Sequence, residues 1–436
     1  MSEGGESMGL DTPQRLAVDA LLDDPGTRII VCCGAGGVGK TTTAAALGVR
    51  AAERGRRVVV LTIDPARRLA QSMGIDSLDN TPRRVPGIEG GTGGDGELHA
   101  MMLDMKRTFD EIVESHADAE RARAILANPF YQSLSAGFAG TQEYMAMEKL
   151  GQLRARDDWD LIVVDTPPSR SALDFLDAPK RLGSFLDGKF IRVLMAPAKV
   201  GGRAGMKFLN VGMSMMTGTL SKLMGASLLK DVQTFVAAMD TMFGGFRTRA
   251  DATFRLLQAP GTAFLVVAAP EPDALREAAY FVERLAAERM PLAGLVLNRV
   301  HGSDAEQLSA ERALAAAENL EEGGIVDQES GKAGLRDAAD DGSPGMNGAA
   351  HTDGTTADAE GTADVDDVDR ITAGLLRLHA ERMQVIAREQ RTRDRFTSLH
   401  PEVAVAEVAA LPGDVHDLAG LRAIGERLSA GVPAGA

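Results

Sequence analysis

The chain alternates short apolar runs with longer stretches in which apolar residues recur every three or four positions. The runs RIIVCC (28–33), RVVVLTID (57–64), DLIVVD (160–165) and TAFLVVAA (262–269) are rich in β-branched residues and lack polar alternation. Each is therefore predicted to be a strand buried on both faces, as in a parallel sheet. A fifth such run is LAGLVLNRV (292–300), and a last strand is expected near VAVAEVAAL (403–411). Helical periodicity fills the intervals, as in TTTAAALGVRAAERG after the first run and PDALREAAYFVERLAAERM after the fourth. This β-α alternation predicts an α/β fold built on a doubly wound, mostly parallel sheet.

Two regions break the alternation. Between the second and third runs, and again over 176–258, the pattern turns helical, and the second stretch carries Met195, Met206, Met213, Met215, Met216, Met224, Met239 and Met242. A Met-rich helical subdomain is expected over about 100–155 and 176–258, inserted into a core formed by 26–320 and 370–430, with 1–25 as an N-terminal segment. Two readings of the methionines stand: an ordinary helical core or loop, and an adaptable groove for an apolar client. Residues 321–369 are rich in Gly, Asp and Glu. Too little apolar surface is available there to offset ordering entropy, and a disordered acidic insertion is expected. Periodicity resumes in ITAGLLRLHAERMQVIAREQ (371–390), and a closing helix is expected after Pro412.

A formal net charge of −15 opposes broad attraction to nucleic acid or an anionic bilayer, which leaves small ligands and protein partners. The two cysteines, Cys32 and Cys33, are adjacent within one strand, so one chain offers neither a disulfide framework nor a four-thiolate metal site. The N-terminal stretch MSEGGESMGLDTPQRLAVDALLDD lacks the basic start and apolar centre of a signal peptide, and no long apolar run suits a membrane span. A soluble, cytoplasmic protein is expected.

The candidate chemistry lies directly after the first strand. Gly34-Ala35-Gly36-Gly37-Val38-Gly39 fits a dinucleotide-binding turn, with Asp64 near the ribose-binding spacing, which would make the protein an oxidoreductase. It also fits the opening of a P-loop. The following Lys40-Thr41-Thr42 favours the P-loop, because a lysine there reaches the terminal phosphates and the next hydroxyl ligates Mg²⁺. A strand before the loop and a helix after it turn backbone N–H groups and the helix dipole toward one anion. Binding of ATP with Mg²⁺ is expected. Asp165 ends the third strand, where a carboxylate can hold Mg²⁺ through water.

With Gly34 to Thr42, Asp64-Pro65-Ala66, Asp165-Thr166-Pro167-Pro168, Pro270-Glu271, Leu297-Asn298-Arg299 and Leu411-Pro412-Gly413-Asp414, the chain resembles the ArsA/GET family of deviant Walker P-loop ATPases. The resemblance implies a P-loop core with a helical subdomain, acting as a dimer that closes on ATP and can gate binding of a hydrophobic or membrane-protein client. It implies that Lys40 contacts the terminal phosphates, Thr41 ligates Mg²⁺ and Thr42 touches the α-phosphate. Asp64 would orient the attacking water and belong with Thr41 and Asp165 to the metal site, although a residue in that place could also cap the helix that follows. Asp165 would open the second switch. Asn298 would read the adenine, or cap a loop, and Leu411 and Pro412 would border the nucleotide.

One departure from the family pattern stands out. Its second loop residue is usually a lysine that reaches the partner's phosphates, and here that residue is Ala35. A cation delivered in trans is worth roughly 10³ to 10⁵ in rate in related enzymes. A homodimer should then be slow, and a heterodimer with a lysine-bearing homologue is expected, or else a regulatory subunit with little activity of its own. Arg67 and Arg68 offer local positive charge as another route. The cysteine pairs that bind metalloid or zinc in other branches have no counterpart.

Overall fold

The computed structural model describes residues 14–63, 68–88, 95–129, 131, 132, 135, 141–167, 248–333 and 359–430. The Met-rich stretch from Met195 to Met242, Asp64 to Arg67 and Pro168 lie outside them. The chain divides into two compact units, one containing residues up to Arg299 and again from Arg395 to Gly431, the other containing Val300–Asp394.

An eight-stranded sheet organises the first unit. In chain order its strands are β1 (Ile29–Gly34), β2 (Arg57–Thr62), β3 (Arg83–Arg84), β4 (Glu97–Met102), β5 (Leu161–Asp165), β6 (Thr262–Ala268), β7 (Leu292–Val300) and β8 (Val405–Ala409). Across the sheet they lie β3-β4-β2-β5-β1-β6-β7-β8. The pairings among β4, β2, β5, β1, β6 and β7 are parallel, and the short edge strand β3 runs antiparallel to β4. β1, β5 and β6 are buried along their whole lengths, as their unbroken apolar runs require.

Glu97–Met102 is a strand, where the sequence pattern assigns residues from about 100 onward to helix. Its Leu98 and Ala100 are buried beside β2, so pairing within the sheet overrides the weak strand preference of Ala and Met. Helices do follow, at Met105–His116, Ala119–Leu126 and Thr141–Arg156.

The helix after β1, Lys40–Glu53, buries ten of its residues, among them Ala44, Leu47 and Val49, under the sheet. It packs closely on the closing helix Leu418–Ala430 and on β2. The segment before β1 also joins this core. A short helix, Val18–Asp23, buries Val18 and Leu22, Leu16 N donates to Val405 O at 3.0 Å, and Arg50 grips Asp19 at 2.6 and 2.7 Å. Residues 16–23 of the N-terminal segment thus pack into the core. Arg56 knits this end of the sheet, donating to the carbonyls of Leu22, Thr27 and Asp160 at 2.9, 2.6 and 2.6 Å.

In the second unit, one helix spans Ala310–Ala333 and another begins at Ala359 and runs to Leu399. Both reach into 321–369, so the ends of the expected disordered insertion are helical. Glu and Ala there are strong helix formers, and a helix already started extends at small cost. Within the unit, Arg377 pairs with Glu321 at 2.6 Å, His379 meets Leu308 O at 2.8 Å and Glu389 holds His301 at 2.6 Å.

Candidate nucleotide site

The phosphate loop leaves the carboxyl end of β1, the central strand flanked by β5 and β6. Gly34 begins it with φ 149°, and a Cβ there would lie 2.0 Å from Val267 O of β6. Only glycine lets the loop depart so close to the neighbouring backbone. Gly39 ends it in the left-handed region at φ 95°, as the N-terminal cap of the helix that starts with Lys40. Nothing stands within 4 Å of where a side chain would begin on Gly37, so the loop is open there. A bowl of backbone with a helix N-terminus at its base suits phosphate.

Lys40 is buried, and its Nζ donates to Ala35 O at 2.6 Å, so the ammonium stays inside the curve of the loop. Thr41 Oγ1 donates to Asp165 Oδ2 at 2.7 Å, and Thr62 Oγ1 donates to the same oxygen at 2.8 Å. Strand register brings these groups together: Cys32 of β1 and Thr62 of β2 both pair with Asp165 of β5. Ile63 N adds a bond to Asp165 O at 3.0 Å. The donor set, a hydroxyl beside a fully buried carboxylate, suits a hard divalent cation that keeps part of its water.

Sequence reasoning singles out Lys40, Thr41 and Asp165, and the structure brings all three to one place. Thr42 is half-buried on the first turn of the same helix. Asp64 lies outside the described residues; Ile63 before it is the one bonded to Asp165. Asn298 is buried at the end of β7, its Nδ2 donating to Val38 O at 2.8 Å. Leu411 and Pro412 follow β8 at the far edge of the sheet, where Leu411 packs on the core and Pro412 is exposed.

Two participants are given no role by the sequence pattern. Thr62 is one, and its signal is a lone hydroxyl inside the apolar run RVVVLTID. Thr166 is the other; its Oγ1 donates to Cys32 O at 2.9 Å and ties the exit of β5 to β1. Burial pushes the Cys33 thiol up to about 12 and the Cys32 thiol well above its ordinary value, the latter with help from the charge on Asp165. Neither is a nucleophile, and both pack as small apolar residues.

A model of the anion-transporting ATPase family matches residues 27–322, which is more than half of the chain. The chain belongs to the anion-transporting ATPase family. It is an ATPase, hydrolysing ATP to ADP and phosphate. It is 25% identical to the ATPase GET3 of Podospora anserina over 70% of this chain and 83% of that protein. It is 30% identical to the ATPase GET3 of Malassezia globosa over 40% of this chain and 49% of that protein. It is also 29% identical to a putative ATPase, Mb3704, of Mycobacterium bovis, over 43% of this chain and 53% of that protein. Among the described residues of this ATPase, no helix is long and apolar enough to cross a membrane.

Proposed function

We propose that this ATPase uses magnesium-dependent hydrolysis to open and close a dimer that binds or targets a hydrophobic protein client. The observation that carries the reading is the meeting of Thr41 with Asp165 at 2.7 Å, because it links the phosphate loop to the strand that leads into the second switch. When bound, Mg²⁺ would neutralise the charge on the terminal phosphates. Thr41 and Asp165 would hold it, directly and through water. Lys40 would exchange its bond to Ala35 O for phosphate oxygens. Asp64 would orient the water that attacks the γ-phosphorus as the bond to the β-phosphate oxygen breaks.

The client reading rests on the sequence relationship to ATPases named GET3 and on the methionines between Met195 and Met242, whose flexible thioethers adapt to varied apolar surfaces. Ala35 supports a second element of the proposal. Without a lysine there, a homodimer lacks the charge that would complete its partner's site, and a heterodimer with a lysine-bearing homologue supplies it to this chain.

ATP turnover of the full chain, with and without such a homologue from the same source, tests this. Stimulation of about 10²-fold or more, lost in Lys40→Ala and Asp64→Asn of this chain, is the expected result. Tight ATP binding without turnover in any combination would turn the reading to a nucleotide-binding regulatory subunit.

A further inference from the structure

We propose that the helix Ala359–Leu399 pairs antiparallel with the same helix of a second copy of this chain, along an apolar stripe from Val368 to Val385. Val368, Ile371, Leu375, Leu378 and Val385 are between 37% and 63% exposed. Among the described residues, the other exposed large apolar side chains are Tyr280 and Leu399, so five of seven share one line on one helix. Single apolar residues scattered over a surface need no explanation, whereas a continuous line of them marks a contact. The other side of the helix is already in use: Ala373 and Ala380 have no exposed surface.

Spacing points to a copy of the same helix as the occupant. The stripe falls at positions 368, 371, 375, 378, 382 and 385, alternating intervals of three and four that form a heptad seam. This series reads the same in both directions, so a copy turned end for end lays its own stripe on this one, about a two-fold axis between residues 376 and 377. Val368 then meets the partner's Val385, and Leu375 meets the partner's Leu378. Ile371 lies against the partner's Arg382. Arg382 Nε donates to Gly302 O of its own chain at 2.7 Å, which holds the charged head and leaves the carbon stem to pack.

Charge selects the antiparallel direction. Asp367 and Arg388 stand three heptads apart on the same flank of the seam. Turned end for end, each Asp367 comes beside the partner's Arg388. Asp367 meets Arg370 of its own helix at 2.7 Å, a pair exposed enough to be exchanged for another. A parallel pair would instead set Arg382 against the partner's Arg382 and Arg388 against the partner's Arg393, and like charges at a seam repel. The seam covers only two and a half heptads, so pairing depends on concentration. It uses Val300–Asp394, a unit that holds none of the phosphate-loop groups, and therefore needs no nucleotide and does not rest on the ATP-gated dimer.

Sedimentation velocity of the full chain without nucleotide, at about 1 to 100 μM, tests the proposal, and a shift from one chain to two across that range is expected. Leu375→Glu sets a carboxylate at the centre of the seam on a residue already exposed. It should raise the dissociation constant at least about tenfold, with ATP binding and far-UV circular dichroism unchanged. Asp367→Arg alone and Arg388→Asp alone should each weaken pairing by about three- to tenfold, and the chain carrying both should recover it, because the charges are then exchanged on both copies. A single chain at every concentration would overturn the proposal and leave the stripe to a different protein. A dimer that Leu375→Glu does not weaken would overturn it by placing the contact elsewhere, and a double exchange that restores nothing would overturn the antiparallel arrangement.

Discussion

Asp165 Oδ2 accepts two hydrogen bonds from hydroxyls, one on the loop helix and one on β2, and the two have different meanings. Thr41 can turn toward a cation when one arrives. Thr62 is 1% exposed and stays behind, holding the carboxylate in place while Thr41 is engaged elsewhere. Replacing Thr62 by Val preserves shape and removes that support from a buried charge. Thr62→Val is expected to destabilise the fold by about 1 to 3 kcal/mol, read from urea unfolding, and to raise the magnesium concentration needed for half-maximal turnover. An unchanged magnesium dependence would leave Thr62 with only a packing role. At this scale the sequence was legible where a motif fixes which residues lie together, as with Lys40, Thr41 and Asp165. It was not legible at Thr62, because a partner chosen by strand register has no fixed spacing from the residue it serves.

At the scale of elements, periodicity identified strands buried on both faces and failed at the margins of the sheet. β4 reads as Glu-Leu-His-Ala-Met-Met, without the β-branched signature, because an outer strand need not be apolar throughout. The helix Val18–Asp23 has six residues, too few for a repeating pattern, yet Val18 and Leu22, one turn apart, are both buried. Leu22, with no exposed surface, is the measure of how firmly this segment joins the core. Leu22→Ala is expected to cost about 2 to 5 kcal/mol in urea unfolding. A cost below about 0.5 kcal/mol, the range of ordinary surface changes, would mean that the segment is peripheral after all. The same substitution should leave the KM for ATP unaltered, since residue 22 lies before β1 and the loop lies after it.

At the scale of the molecule, the described groups of the phosphate loop and the carboxylate beside it come from residues 32–42, 62, 63, 165, 166 and 298, all within the first unit. The helices of Val300–Asp394 contribute none of them. Replacing residues 334–358 by a Gly-Ser linker of equal length should therefore leave basal ATP turnover within about twofold of the unsubstituted chain, a change too small to signal a lost phosphate contact. A fall of tenfold or more would assign that stretch a part in hydrolysis. The low apolar content of 321–369 was readable from composition, whereas the helical character of its two ends was not, because Glu and Asp serve a solvated helix as well as they serve a disordered chain.

The alignment of Cys32, Asp165 and Thr62 across three adjacent strands has a further consequence for assembly of the sheet. Successive residues of a strand face opposite sides of its sheet, so a slip of β5 by one position would carry the Asp165 carboxylate to the other face, away from Thr41. Such a molecule could keep its phosphate loop and still have no carboxylate beside it. A molecule with such a slip would be expected to bind nucleotide and to hydrolyse it poorly.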